Sequence, residues 1–187
     1  MGVAVGVVLV MATAACGDDK PKEFKPSTVK IPSGASSAAG GVTVASTVFK
    51  ERERIPEKFS CKGDNVPPPL SWSGIPSGTT NVAIMVTDPD APKGVFVHWI
   101  VTGLPASSSG SITGRLPSGA HTEANSTGQA VYTGMCPPSG ATHRYIFEVV
   151  ALGRTVTFPA EATPQDKVRL LRAAASAGGK LTGTFGG

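Results

Sequence analysis

From residue 42 onward the apolar positions fall into short blocks separated by turns rich in Gly, Pro, Ser and Asp, the punctuation of strands rather than of long helices. Val42, Val44 and the Val48-Phe49 pair mark a first strand. Asn81 to Thr87 (NVAIMVT) is a continuous apolar run, the pattern of a strand covered on both faces. Phe96 to Thr102 (FVHWIVT) is β-branched and aromatic and reads as a second interior strand. His143 to Leu152 alternates, with Tyr145, Phe147 and Val149 on one face and Ile146, Glu148 and Val150 on the other. Helical spacing begins only at Thr163, which is placed to act as N-cap, with Pro164 at the first helical position and Asp166 completing a capping-box pattern. Val168, Leu171 and Ala174 continue that helix, and the Gly178-Gly179 pair predicts its stop. Leu181 to Phe185 (LTGTF) reads as a closing strand. Many strands, one late helix and Pro/Gly-rich loops predict an all-β-dominated fold: a two-sheet antiparallel β-sandwich with Greek-key character plus a C-terminal helix.

The pattern upstream is of another kind. Val3 to Val10 is apolar but too short to span a bilayer, which takes about 20 residues. It breaks into Thr13, Ala14 and Ala15, followed by Cys16, so residues 1–15 read as an export signal with a small-residue cleavage site. A Cys directly after small residues resembles a bacterial lipoprotein box, which implies that Cys16 carries the lipid, palmitate included. The sequence departs from that box in having no Lys or Arg before the apolar run and Thr13 where Leu is usual. The other reading, an ordinary secretory leader with an incidental Cys, exports the chain as well. Residues 16–41 are rich in Lys, Pro, Ser, Ala and Gly and lack apolar periodicity, so they read as the lipidated Cys and a flexible tether. The expected organisation is therefore 1–15 signal peptide, 16–41 tether and 42–187 folded domain, on the extracytoplasmic face of the cell membrane.

At 187 residues, 40% of them hydrophobic, the chain has material for one domain with a substantial core. Gly 23 and Pro 16 fit the many turns of an all-β fold. The net charge of +4 comes from scattered basic residues with no tight run, which argues against nucleic acid as a partner and allows weak attraction to anions.

Ionisable groups gather beside the strands that read as buried. Asp88-Pro89-Asp90-Ala91-Pro92 follows the apolar run; His98-Trp99 lies inside the next strand; Cys136-Pro137-Pro138-Ser139-Gly140 leads into His143-Arg144-Tyr145. Burying Asp or His unpaired costs several kcal/mol, and the cheapest arrangement has them facing one another around a pocket. The prolines at 89, 92, 137 and 138 stiffen the loops such a pocket needs. DPDAP, then HW, then a Gly/Pro-rich loop ending in HRY, with Gly63-Asp64-Asn65, Pro67 to Trp72 and the LTGTF end in register, resemble the phosphatidylethanolamine-binding protein family, also called the Raf kinase inhibitor protein family, in its short bacterial branch. The pattern departs at Pro67, where Ser is common, and at Met135, where Pro is common.

That resemblance implies a two-sheet sandwich with a small pocket for anions, phosphate or a phospholipid headgroup above all, lined by Asp88, Asp90, His98, Pro137, Pro138, His143 and Tyr145. Arg144 is then a structural partner of Asp88 or Asp90. It calls for no cofactor and no metal, and makes the protein a binding module rather than an enzyme. A regulator or inhibitor of a partner kinase or protease is one alternative, since the family includes both. The other is an enzyme, metal-dependent or hydrolytic, using the Asp/His cluster; no G-x-S-x-G elbow or other activated Ser supports hydrolysis. Trp99 and Phe147 read as core, His121 as a solvated loop residue, and Lys50, Arg52, Arg54 and Lys58 as a solvated face. Cys61 and Cys136 remain after Cys16; in an oxidising compartment they form either a disulfide or two separate buried thiols, and the former is expected.

Overall fold

A computed structural model describes residues 41–107 and 109–186, together with Gly2 and the backbone of Ser36 and Ser37. The signal segment apart from Gly2, Cys16 and most of the tether read at 16–41 lie outside the described residues.

Among the described residues nine strands and one α-helix follow in order: β1 (Ser36–Ser37), β2 (Thr43–Ala45), β3 (Leu70–Ser73), β4 (Asn81–Asp88), β5 (Phe96–Pro105), β6 (Ser109–Ile112), β7 (His121–Thr122), β8 (Thr142–Leu152), α1 (Pro164–Ala174) and β9 (Ala175–Gly186). They form two antiparallel sheets, one in the order β1-β2-β3-β6 and the other β7-β5-β4-β8-β9. β4 is therefore the central strand of the larger sheet. Val82, Ile84 and Val86 on one of its faces join a core with Val44, Leu70 and Trp72 of the smaller sheet. Ala83 and Met85 on the other face pack with Val168 and Leu171 of α1. Two-sided burial, about 1.5–3 kcal/mol for each large apolar side chain, is why this strand shows no alternation. β8 alternates as expected at its start, where Arg144 is exposed between buried His143 and Tyr145.

The helix begins as its capping signals predict, with the Thr163 hydroxyl accepting from the Asp166 N–H. Its end is different. It stops at Ala174, and Gly178 and Gly179 lie inside β9, opposite Val150 and Val149. Gly179 faces the Val42 carbonyl so closely that an added Cβ would collide with it. The glycine pair is thus strand rather than helix stop, with Gly179 marking a close approach of two backbones, and the closing strand is longer than LTGTF. The first strand is shorter than expected: Phe49 lies beyond β2 and packs its ring on Phe147 at 5.3 Å.

β9 is a sheet edge, and residues 51–55 cover it. The N–H groups of Arg52 and Ile55 donate to the carbonyls of Thr182 (2.6 Å) and Thr184 (2.8 Å), and Thr184 N–H donates back to Glu53 (2.9 Å). Arg54 also sets its guanidinium over the Phe185 ring at 5.1 Å. Among the described residues no helix is long and apolar enough to cross a membrane.

Because the atoms an added Cβ would strike first are the Val42 backbone, Gly179→Ala should destabilise the fold by about 1–3 kcal/mol. Gly153→Ala, with open space around it, should change stability by less than about 0.5 kcal/mol. Chemical denaturation of both variants checks the contrast.

Candidate functional site

The three motifs meet because their strands are neighbours. Asp88 ends β4, His98 lies on β5 to one side, and His143 lies near the start of β8 on the other. Between β4 and β5 the register slips: Thr87 pairs with Val97 and Val86 with Trp99, leaving His98 as the extra residue of a bulge. Such a bulge re-aims one side chain without breaking the strand. Asp88, Pro92, Phe96, His98, Pro138 and His143 line a cleft of about 260 Å³ there. That is below the usual size for drug-like ligands and suits a small one.

Asp88 is 4% exposed, yet both of its oxygens are satisfied. Oδ1 accepts the Asp90 N–H at 2.8 Å and Oδ2 accepts His143 Nδ1–H at 2.7 Å. The carboxylate holds His143 Nδ1–H and leaves Nε2 as the ring nitrogen open to a ligand. His98 is held differently. Its Nδ1–H donates to the Thr133 carbonyl at 2.7 Å, so in the neutral ring Nε2 is a bare acceptor. That Nε2 is buried with no hydrogen-bond partner. Burial lowers the His98 pKa, and the carbonyls of Thr133 and Gly134 and the Asp88 charge oppose the shift only in part. The ring is flanked by Phe96 (4.7 Å between centroids) and by the edge of Tyr145 (5.3 Å).

Arg144 takes Asp90, not Asp88, as its partner. Its Nε and Nη2 donate to the two Asp90 oxygens at 2.8 and 2.6 Å, and its backbone N–H adds a third bond at 2.9 Å. These bonds hold the Asp90 carboxyl down at about 2. Of the residues expected around the pocket, Asp88, His98, Pro138 and His143 line the cleft, while Asp90, Pro137 and Tyr145 do not. Tyr145 is buried behind His98; its hydroxyl has no partner, and burial raises its pKa.

This arrangement can be set beside known proteins. The family model described as phosphatidylethanolamine-binding protein matches residues 45–186. A Mycobacterium tuberculosis H37Rv protein named "Putative lipoprotein LppC" is 40% identical over 97% of this chain and 94% of its own length. Among solved structures, Escherichia coli YbcL, titled a new member of the mammalian PEBP family, superposes with a TM-score of 0.69. It is 32% identical over 76% of this chain and 96% of its own. A PEBP homologue from Chlamydia trachomatis, CT736, gives 0.68 at 29% identity, over 80% of this chain and 99% of its own. The chain belongs to the phosphatidylethanolamine-binding protein family.

In this family member the cleft is braced by residues that the sequence does not advertise. Asn125 is fully buried, and its amide donates to the carbonyls of His98 (3.3 Å) and Val131 (2.8 Å) and to the Thr133 hydroxyl (2.8 Å). It joins the bulge to the loop that holds His98. In sequence it sits in ANSTG, where it reads as an ordinary turn residue. Thr133 and Phe96 carry no signal either. The loop at 57–65 buttresses the cleft from outside. Cys61 and Cys136 are joined by a disulfide, Cys61 N–H donates to Met135 O, and Asn65 Oδ1 accepts the Gly134 N–H at 2.7 Å. The Tyr132 hydroxyl donates to Phe59 O at 2.9 Å.

His121 is solvent-exposed, as the sequence suggests, but it sits on a short strand, β7, rather than in a loop. Its Nε2 meets Thr102 Oγ1 at 3.0 Å and Glu123 Oε1 at 3.1 Å, while Glu123 also pairs with Lys167 at 2.7 Å. A larger cavity of about 430 Å³ lies beside this cluster, at the opposite end of β4. Its polar side chains are partnered or reach solvent, whereas the cleft keeps an unpartnered buried nitrogen.

The Asp90 pair sets a pH window. A lowered carboxyl pKa contributes stability that is present above its ordinary 3.8 and is lost as pH falls through about 2. Both partners touch solvent, so the contribution is small. A carbon-13 carboxyl titration should place Asp90 near 2, and Arg144→Gln should return it toward 3.8. An unchanged midpoint in the variant would exclude Arg144 as the cause.

Proposed function

We propose that the protein is an anion-binding module rather than a catalyst, taking phosphate or a phosphate-bearing headgroup in the cleft between Asp88, His98 and His143. The observation that carries this reading is the pairing of two buried histidines, each tied through Nδ1, beside one small cleft. With Asp88 behind it, a protonated His143 can give a phosphate oxygen a charge-assisted hydrogen bond in a partly dry site. Phe96, Pro92 and Pro138 supply apolar walls, which strengthen that bond by thinning the water around it.

Lipid on Cys16 would hold this module at the extracytoplasmic face of the cell membrane. The apolar leader ending in Thr-Ala-Ala-Cys supports this, as does the lipoprotein name of a relative matched over 97% of the chain.

Calorimetric titration of the full chain in detergent should show phosphate binding, weakened at least tenfold by His143→Ala and by Asp88→Ala. Asp88→Ala removes the acceptor of two hydrogen bonds and should also cost about 1–3 kcal/mol of stability. Equal affinity in all three proteins would place the anion elsewhere.

Cys16→Ser should move the protein from the membrane fraction to the soluble one. Unchanged fractionation would mean that the leader, not a lipid, holds the chain.

A further inference from the structure

The two histidines of the cleft do not offer a ligand the same thing. His143 has an ionised carboxylate on Nδ1, so its Nε2 can carry a proton and donate it toward an oxyanion. His98 has a neutral carbonyl on Nδ1, which keeps its one proton there and leaves Nε2 a lone pair. The residue is 4% exposed, its ring stands in the cleft wall, and that nitrogen has no partner in the protein. A ligand that fills the cleft must therefore bring His98 a hydrogen-bond donor, or leave a buried acceptor facing its own oxygens.

We infer that the cleft selects phosphate groups that carry a proton, terminal monoesters and hydrogen phosphate, over phosphodiesters. This deepens the anion-binding reading and rests on it. A monoester monoanion has both complements: a P–OH to donate to His98 Nε2 and a P–O⁻ to accept from His143 Nε2–H⁺. A diester has acceptor oxygens alone and satisfies only His143. Protonating His98 instead would place a cation where burial already disfavours one. An ammonium on the diester is a poorer donor for this position. It loses its hydration against Phe96, Pro92 and Pro138, and the Asp88 carboxylate in the same lining draws it away from His98 Nε2. The shared chemistry is the P–OH group, whether it arrives as free phosphate, as a small metabolite or on a lipid whose headgroup is a bare phosphate.

The test is a competition series on the full chain in detergent at about pH 5, where a phosphate monoester keeps its last proton because that pKa is about 6. Methyl phosphate should bind about tenfold or more tighter than dimethyl phosphate, the effect of leaving one buried acceptor unpaired. Glycerophosphoethanolamine, a diester with an ammonium, should rank with dimethyl phosphate. Equal binding of either diester and methyl phosphate would overturn the inference while leaving the anion site intact. No binding of inorganic phosphate or any ester would overturn the anion reading and the inference with it. Short-chain phosphatidic acid binding tighter than methyl phosphate would name a lipid source, and the reverse a soluble one; both keep the proton requirement. His98→Leu should bring the monoester-to-diester ratio close to one. Nitrogen-15 NMR of the wild-type His98 ring gives an answer that does not depend on that variant folding. Its Nε2 should be unprotonated in the free protein and should move to a hydrogen-bonded shift with methyl phosphate, and a protonated Nε2 in the free protein would overturn the inference.

Discussion

A carboxylate at the end of the central strand has to be satisfied where water hardly reaches it, and the rest of the site follows from how Asp88 meets that demand. An unpaired buried carboxylate is too costly to keep ionised. Asp88 therefore takes one N–H from its own loop, at Asp90, and one from the neighbouring strand, at His143. The first bond folds the Asp-Pro-Asp turn back over the strand end. The second fixes the start of β8 and the tautomer of its histidine. A strand end that would otherwise fray becomes a rigid floor with one imidazole nitrogen left over.

Charge is sorted around that floor. Arg144 is the strongest cation nearby, yet it is directed outward onto Asp90, where solvent screens the pair. Facing the cleft instead, a permanent guanidinium would neutralise Asp88 and take the hydrogen bond that orients His143. With Asp90 holding Arg144 aside, the cleft is left to Asp88 and the two imidazoles. A lone alternation in β8, buried His143, exposed Arg144, buried Tyr145, is enough to separate the two kinds of base.

Much of this was legible in the sequence because it depends on local order. The two-sided burial of β4 shows as an unbroken apolar run, the helix start shows as Thr163 with Asp166, and the DPDAP, HW and HRY motifs identify the family whose model matches residues 45–186. What stayed hidden depends on long-range contact. Gly178 and Gly179 look like a helix stop, and only the Val42 backbone lying against β9 shows that Gly179 is needed for closeness. The bulge at His98 needs two strands to define it, since the extra residue is extra only against Val86 and Thr87. Asn125 has the chemistry of a turn residue in sequence and the role of a clamp in space, and nothing local separates the two.

The clamps supply the rigidity that the proposed selectivity of so small a cleft requires. A site that reads hydrogen-bond polarity must hold donor and acceptor fixed, because a ring free to turn would present whichever edge the ligand preferred. His98 cannot turn while Thr133 holds its Nδ1–H and Asn125 holds both the Thr133 hydroxyl and the His98 carbonyl. The loop carrying Thr133 is itself held by Asn65 at Gly134, by Tyr132 on Phe59, and by the disulfide from Cys136 to Cys61. Met135, the departure from the usual family pattern, is fully buried in that brace, where its carbonyl takes the Cys61 N–H. The residues at 57–65 do not line the cleft, but they brace the loop whose Thr133 carbonyl holds His98 Nδ1.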